Sequence, residues 1–176
     1  MNRLVVIGDS IAFGQFVSPH KTWVHLLSEI APIPIDNFSW PGDTTRIALE
    51  RSLPMVHRDG CSLAYVQFGC NDANVWESDD GNPRVTLGAY RANIAEIVKR
   101  CKSAGAEMVV IGTNHKTSID TSLYDAAASS IACTTVGCKL ISHKSDKTLD
   151  GVHLSEEGHR SYFERIGGCL GWPSLC

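Results

Sequence analysis

The sequence has little that would place the protein in a membrane or on a nucleic acid. No apolar run approaches the ~20 residues that a helix needs to span a bilayer. The formal net charge is only −3 at pH 7, so there is no electrostatic reason to expect nucleic acid or an anionic membrane as a partner. No charged segment followed by an apolar stretch precedes the first predicted strand. We therefore expect no signal peptide and a cytoplasmic protein, unless a leader has been removed.

Metal-binding and disulfide patterns are also missing, although the chain has seven cysteines. None forms a C-x-x-C pair, and the closest spacing, Cys133 to Cys138, has no histidine beside it to complete a zinc site. Most of these cysteines should be reduced thiols that pack as small apolar residues. Cys169 and Cys176 could pair in an oxidising environment. The sequence thus predicts neither a metal nor another cofactor.

The composition is otherwise ordinary for a soluble globular protein. Hydrophobic residues make up 43% and charged residues 20% of the 176 positions. This length predicts a single domain over residues 1–176 with a substantial core. Nothing in the sequence indicates an oligomeric state.

Apolar runs and helical periodicities alternate along the chain. Short apolar runs predict five strands, at 4–7, 33–38, 62–68, 108–111 and 139–141. Amphipathic patterns predict helices between and after them, at 21–30, 44–53, 86–104, 123–135 and 155–166. Pro54 should interrupt the second of these helices, and 167–173 should form an irregular tail that Trp172 packs onto the body. The alternation predicts an α/β fold, with a parallel sheet of five strands covered on both faces.

A serine follows the first predicted strand at the place where α/β sheets bind ligands. Ser10 comes after Gly8 and Asp9, at the carboxyl end of the strand. Its hydroxyl could be a nucleophile, but only with a base and anion-stabilising groups from elsewhere in the chain. Capping of the following helix or binding of a phosphate is the alternative for a Gly-Asp-Ser tripeptide alone.

Residues suited to those further tasks follow other strands or precede the last helix. Gly42 lacks a Cβ, so its backbone can approach a substrate closely. The Asn71 amide can donate a hydrogen bond to a developing oxyanion. Asp150 precedes His153 by three residues, which lets its carboxylate reach Nδ1 and leaves Nε2 free to accept a proton from Ser10.

Four motifs in this order resemble those of the SGNH (GDSL-type) hydrolases, over nearly the whole chain. They are Gly8-Asp9-Ser10, Asn37 through Gly42-Asp43-Thr44-Thr45, Gly69-Cys70-Asn71-Asp72, and Asp150-Gly151-Val152-His153-Leu154. The resemblance implies a flavodoxin-like three-layer α/β/α sandwich. It also implies that Ser10 is the nucleophile, His153 the general acid and base, and Asp150 the carboxylate that orients His153. The oxyanion donors would be the Ser10 and Gly42 N–H groups and the Asn71 side chain.

One part of the second motif departs from the family pattern. Trp40 and Pro41 stand where small residues usually precede the glycine. Pro41 has no N–H, but the expected donor belongs to Gly42, so the oxyanion hole should survive. The Trp40 side chain could line one side of the acyl pocket.

These observations predict a serine ester hydrolase that works through an acyl-enzyme. We expect its substrates to be small or short-chain esters, O-acetylated carbohydrates among them. Other candidate substrate contacts are Phe13, Phe16, Trp76 and His115, for which packing or solvent exposure is the alternative. A carbohydrate- or lipid-binding module without turnover and an acyltransferase are the competing functions. A metal site of Asp150, His153 and His159 would leave the Ser10 and Asn71 motifs unexplained.

Overall fold

The computed structural model describes residues 2–144 and 147–173, and in these ranges the chain forms five β-strands and seven α-helices. The strands are β1 (Leu4–Gly8), β2 (Ile35–Asn37), β3 (Leu63–Gln67), β4 (Met108–Gly112) and β5 (Cys138–Ile141). The helices are α1 (Ser10–Phe13), α2 (Trp23–Ser28), α3 (Thr45–Asp59), α4 (Cys70–Ala73), α5 (Leu87–Ser103), α6 (Ser122–Thr134) and α7 (Glu156–Leu170). Single 3₁₀ turns occupy Pro19–Lys21 and Glu77–Asp79.

The strands of the described ranges form one parallel sheet in the order β2-β1-β3-β4-β5. Every residue of β1 is buried, as the continuous apolar run of a central parallel strand predicts. This is the flavodoxin-like strand order, whose direction of winding changes beside β1. The predicted fold class is confirmed.

Side chains of successive strand residues enter two separate cores, one on each face of the sheet. Val5 and Ile7 pack into a core formed with α3, α5 and α6. Leu4 and Val6 pack into the opposite core, with the large side chains of α2 and α7. The molecule therefore has three layers, and the central strands of the sheet are buried on both faces.

Two predictions about helix ends are wrong. Helix α3 continues through Pro54 to Asp59, because Leu53 and Val56 on either side of the proline are both buried in the core. Their burial outweighs the one backbone hydrogen bond that the proline cannot donate.

Helix α7 likewise continues through the glycines at 167–168 to Leu170, where an irregular tail was expected. Gly167 lies beside Leu27 and Ile30, in the layer that α2 and α7 share, and a Cβ there would make ordinary contacts at 3.8 and 3.9 Å. The helix ends at Gly171 in the left-handed conformation. Trp172 packs against the core as predicted, whereas Cys176, the suggested partner of Cys169, lies outside the described residues.

The carboxyl ends of the strands carry the loops that contain the predicted site residues. Ser10 follows β1 directly, Gly42 lies between β2 and α3, and Asn71 follows β3. Asp150 and His153 lie in the turn before α7. Within the described ranges, no helix is long and apolar enough to cross a membrane.

Candidate active site

Ser10 and His153 are 143 residues apart in sequence and in direct contact in the structure. The Oγ atom of Ser10 lies 3.1 Å from Nε2 of His153. The other ring nitrogen of His153, Nδ1, lies 2.7 Å from Oδ2 of Asp150. Ser10, His153 and Asp150 thus form the hydrogen-bonded series that activates a serine hydroxyl in hydrolases.

The Asp150 carboxylate is held by its own turn. Its Oδ1 accepts hydrogen bonds from the backbone N–H groups of Val152, at 3.0 Å, and His153, at 2.7 Å. Slight desolvation raises the pKa of Asp150, but these hydrogen bonds and the one from the His153 ring outweigh it and lower the pKa to about 2. Asp150 is therefore ionised throughout the neutral range, and it fixes the Nδ1–H tautomer of His153.

The start of α1 is capped by Asp9 rather than by Ser10. Oδ1 of Asp9 accepts a hydrogen bond from the Ile11 N–H at 3.0 Å. This leaves the Ser10 hydroxyl free to contact His153. Burial, with smaller contributions from the nearby charges of Asp72 and Asp43, raises the pKa of Asp9 to about 7.

The Asn71 amide lies beside the residues next to the two other predicted oxyanion donors, Gly42 and Ser10. Nδ2 of Asn71 lies 3.0 Å from the carbonyl oxygen of Asp43, which follows Gly42, and 3.4 Å from Oδ2 of Asp9, which precedes Ser10. Gly42 is exposed and has a φ of +80°, a conformation that a glycine adopts without strain. The Ser10 N–H, in the first turn of α1, has no partner within its helix.

Arg84 supports this side of the site, and the sequence analysis did not identify it. Its guanidinium donates to Oδ1 of Asn71 at 3.4 Å and to the Gly42 carbonyl at 3.2 Å. It also lies over the Trp76 ring, 4.5 Å from the centroid. The contact to Oδ1 turns the Asn71 amide so that its donor nitrogen faces the Asp9 carboxylate and the Asp43 carbonyl. Arg84 follows a loop that carries no recognisable motif, so no local signal could have revealed it.

Asp9, Asp43 and Asp72 are three buried carboxylates, close enough together for Asp43 and Asp72 to affect the pKa of Asp9. Asp72 accepts from the Thr45 N–H at 3.0 Å and from the Thr45 hydroxyl at 2.5 Å. Asp43 pairs with Arg51. Burial raises the pKa of both Asp43 and Asp72 to about 6, although their hydrogen bonds and nearby arginines oppose it.

Exposed aromatic rings lie beside His153 and on and near α1. Phe16 meets the His153 ring edge-on with centroids 4.9 Å apart, and Phe13 meets Trp40 edge-on at 5.9 Å. The Trp40 and Trp76 side chains are 57% and 53% exposed. Phe13 and Trp40 also line an open groove of about 470 Å³ beside α1. Clustered exposed rings of this kind mark a binding surface.

His115 does not lie where a substrate contact was expected. Its side chain is buried, with Nδ1 2.8 Å from the Tyr162 hydroxyl and Nε2 2.8 Å from the Val152 carbonyl. Both nitrogens are therefore occupied within the protein, because α7 packs over the loop after β4. The prediction of a solvent-facing His115 at the substrate cleft is wrong for this reason.

The described residues give no support to a metal site. No group of three His, Cys, Asp or Glu side chains among them is placed to hold a metal ion. His159, considered as a ligand with Asp150 and His153, is buried, and its Nδ1 accepts the Trp23 N–H at 3.3 Å. Burial lowers the pKa of His159 to about 4, so it is a neutral structural residue.

The fold is that of several solved hydrolases. An acetylxylan esterase from Geobacillus stearothermophilus superimposes with a TM-score of 0.77, at 19% identity over 97% of this chain and 94% of that one. A psychrotrophic esterase from Pseudoalteromonas sp. gives 0.73, at 18% identity over 97% and 100%. A putative lipolytic G-D-S-L family protein from Desulfitobacterium hafniense gives 0.78, at 18% identity over 94% and 98%. At these identities the likeness establishes the fold.

The fold and the serine–histidine–aspartate arrangement define a hydrolase of the SGNH class. Residues 6–161 match the GDSL-like lipase/acylhydrolase family, and the chain belongs to that family. It is accordingly a carboxylic ester hydrolase, as the four motifs predicted. No curated protein sequence matches the chain.

Proposed function

We propose that this protein is a serine esterase for short-chain acyl esters, in which Ser10 is the nucleophile, His153 the general acid and base, and Asp150 the carboxylate that orients it. The observation that carries the proposal is the continuous contact from Asp150 through His153 to the Ser10 hydroxyl. Family membership supports the reaction type.

In the first half of the reaction, the Ser10 oxygen attacks the ester carbonyl while Nε2 of His153 takes the hydroxyl proton. The imidazolium that forms is stabilised by ionised Asp150. As the tetrahedral intermediate collapses, His153 returns this proton to the leaving alcohol, and the acyl group remains on Ser10. Water then attacks the acyl-enzyme with His153 as base, which releases the acid and restores the Ser10 hydroxyl.

The oxyanion of each tetrahedral intermediate would be held by the N–H groups of Ser10 and Gly42 and by the Asn71 amide. Arg84 supports this assignment because it fixes the orientation of Asn71 without needing to contact the substrate. Preorganised donors lower the cost of the charge that develops. Nδ2 of Asn71, which donates to the Asp43 carbonyl and to Oδ2 of Asp9 in the free protein, would exchange one of these hydrogen bonds for one to the oxyanion.

The surroundings of Ser10 favour a small acyl group on a larger alcohol. The open groove beside α1, which is lined by residues close to Ser10 in sequence rather than by Ser10 itself, bears the exposed rings of Phe13 and Trp40. Flat rings in such a groove can stack against the apolar face of a sugar, so an O-acetylated carbohydrate fits the site. An acetylxylan esterase is among the structural neighbours.

The test is hydrolysis of p-nitrophenyl esters from acetate to octanoate, beside an acetylated oligosaccharide, by the wild type and by Ser10→Ala. We expect acetate and butyrate to be the best of the series and Ser10→Ala to lose at least about 10³-fold in kcat with its fold intact. Wild-type activity in Ser10→Ala would overturn the catalytic assignment. A preference for octanoate would overturn the short-chain assignment alone.

A further inference from the structure

We propose that His115 is a positioning residue for the reaction. It lies on the buried side of the turn that carries His153 and keeps that turn at the correct distance from Ser10. The inference rests on the proposed roles of Ser10 and His153 and extends them to a second histidine, which does not touch the substrate.

Two hydrogen bonds connect the turn that carries Asp150 and His153 to the loop after β4. The Ser118 N–H donates to the Gly151 carbonyl at 2.8 Å. Nε2 of His115 lies 2.8 Å from the Val152 carbonyl. Because a carbonyl oxygen only accepts, Nε2 of His115 must carry a proton. The second of these contacts is therefore a hydrogen bond from the His115 side chain to the peptide group that joins Val152 to His153.

His115 is fixed in turn by a directional series of buried hydrogen bonds. Gln67 donates from Nε2 to the Thr113 carbonyl and to the Tyr162 hydroxyl, both at 3.0 Å. The Thr113 carbonyl, again an acceptor only, sets the orientation of the Gln67 amide. Tyr162, whose oxygen already accepts from Gln67, is left to donate its own proton to Nδ1 of His115 at 2.8 Å.

Tyr65 and His143 extend this series of hydrogen bonds beyond Gln67. Oε1 of Gln67 accepts from the Tyr65 hydroxyl at 3.1 Å, and the Tyr65 oxygen lies 2.8 Å from Nε2 of His143. Nδ1 of His143 has no hydrogen-bond partner among the described residues. An orphan acceptor is less costly than an orphan donor, so the proton of His143 belongs on Nε2. Every donor then points the same way, from His143 towards the Val152 carbonyl.

This direction requires His115 to be neutral. A proton on Nδ1 would face the Tyr162 oxygen, which would then receive donors from both Gln67 and His115 and leave its own hydrogen without an acceptor. Burial lowers the pKa of His115, which favours the neutral form. The side chains of the series are all close to fully buried, and the Val152 carbonyl at its end belongs to a half-buried residue. The cost of rearranging the series keeps His115 in one orientation.

Positioning matters here because the contact from His153 to Ser10 depends on where the turn lies. A displacement of about 1 Å at a reacting group can cost up to ~10²-fold in rate. Asp150 orients His153 from within the same turn, so it cannot fix the distance of that turn from Ser10. His115 belongs to a different loop and supplies this constraint.

The test compares His115→Asn with His115→Gln. The amide nitrogen of glutamine can reach the position of Nε2 and donate to the Val152 carbonyl, whereas that of asparagine corresponds to Nδ1 and cannot. We expect His115→Asn to lower kcat about 10-fold or more with KM within about twofold, and His115→Gln to recover to within about threefold of the wild-type kcat. Equal kcat values for the wild type and a folded His115→Asn would overturn the inference, as would equal losses in the two variants.

A second pair of variants covers the case in which His115→Asn does not fold. Tyr162→Phe removes the hydroxyl that fixes Nδ1 of His115, and Tyr124→Phe removes a comparable buried hydroxyl, which donates to the Val85 carbonyl at 2.7 Å. We expect Tyr162→Phe to lower kcat several-fold and Tyr124→Phe to leave it unchanged at a similar loss of Tm. Equal kcat values in this pair would contradict the proposal. An active Ser10→Ala would instead show that the proposed function itself is wrong.

Discussion

Asp9 precedes Ser10 in the sequence, and Asp150 is connected to it through His153. The environments of these two carboxylates are opposite. Asp150 is partly exposed and accepts hydrogen bonds from two backbone N–H groups and from the His153 ring. Asp9 is buried, accepts from the Ile11 N–H, and lies near two further carboxylates. The pKa falls to about 2 for Asp150 and rises to about 7 for Asp9.

The comparison shows that hydrogen bonds and burial, rather than residue type, assign the two roles. A carboxylate that must stabilise a positive imidazolium has to remain ionised, and the turn around Asp150 ensures this. A carboxylate that caps α1 needs only one accepting oxygen, which it has in either protonation state. Asp9 is therefore suited to structure and Asp150 to catalysis.

The largest expected effect comes from Asp150→Asn. The asparagine Oδ1 can still accept from the Val152 and His153 N–H groups, so the turn should persist. Its amide would donate to Nδ1 of His153, which moves the ring proton to Nε2 and removes the base that Ser10 needs. We expect kcat to fall by about 10⁴-fold, the effect that loss of the correct tautomer has in a serine hydrolase.

Steady-state kinetics on p-nitrophenyl acetate measure this loss, and circular dichroism confirms that the variant is folded. A decrease smaller than tenfold in a folded variant would show that Asp150 does not set the tautomer of His153.

A smaller effect, on the pH dependence of stability, is expected from Asp9→Asn. Between about pH 4 and 7 the unfolded chain loses the Asp9 proton, since its ordinary pKa is 3.8, while the folded chain retains it. The contribution of Asp9 to the unfolding free energy of the wild type therefore falls as pH rises through that range, by at most about 1.4 kcal/mol per pH unit. Asparagine caps a helix as well as aspartate and does not titrate, so the variant should not show this decrease.

Urea unfolding from pH 4 to 8 measures the prediction. The unfolding free energy of Asp9→Asn minus that of the wild type should increase up to about pH 7 and then level off. Asp120→Asn is the matched control, because hydrogen bonds lower the pKa of this exposed carboxylate, and the corresponding difference should stay constant above pH 4. A constant difference for Asp9→Asn over the same range would contradict the raised pKa.

Local patterns predicted the parts of the molecule that depend on local physics. The apolar runs of β1 and β4 and the helical periodicity of α5 are visible within a few residues of sequence. The contact of Asp150 with His153 follows from a three-residue offset. The meeting of Ser10 with His153 requires the order of strands, which the recognised motifs supplied and periodicity alone did not.

The failures have a common cause in tertiary packing. Pro54 remains helical because its neighbours are buried, and His115 is buried because α7 covers its loop. Arg84 reaches Asn71 from a loop 13 residues further along the chain. None of these three outcomes can be predicted from local composition, because each depends on contacts with residues that are distant in the sequence.

The central claim is that Ser10 is the nucleophile, and covalent labelling tests it most directly. A fluorophosphonate should form one Oγ–phosphorus bond at Ser10 and release fluoride, which mass spectrometry of the peptide that contains Ser10 would detect. We expect one adduct per chain in the wild type, none in Ser10→Ala, and a labelling rate in Asp150→Asn that falls along with kcat. An adduct at another residue, or full hydrolytic activity in a wild-type protein that remains unlabelled at Ser10, would contradict the account.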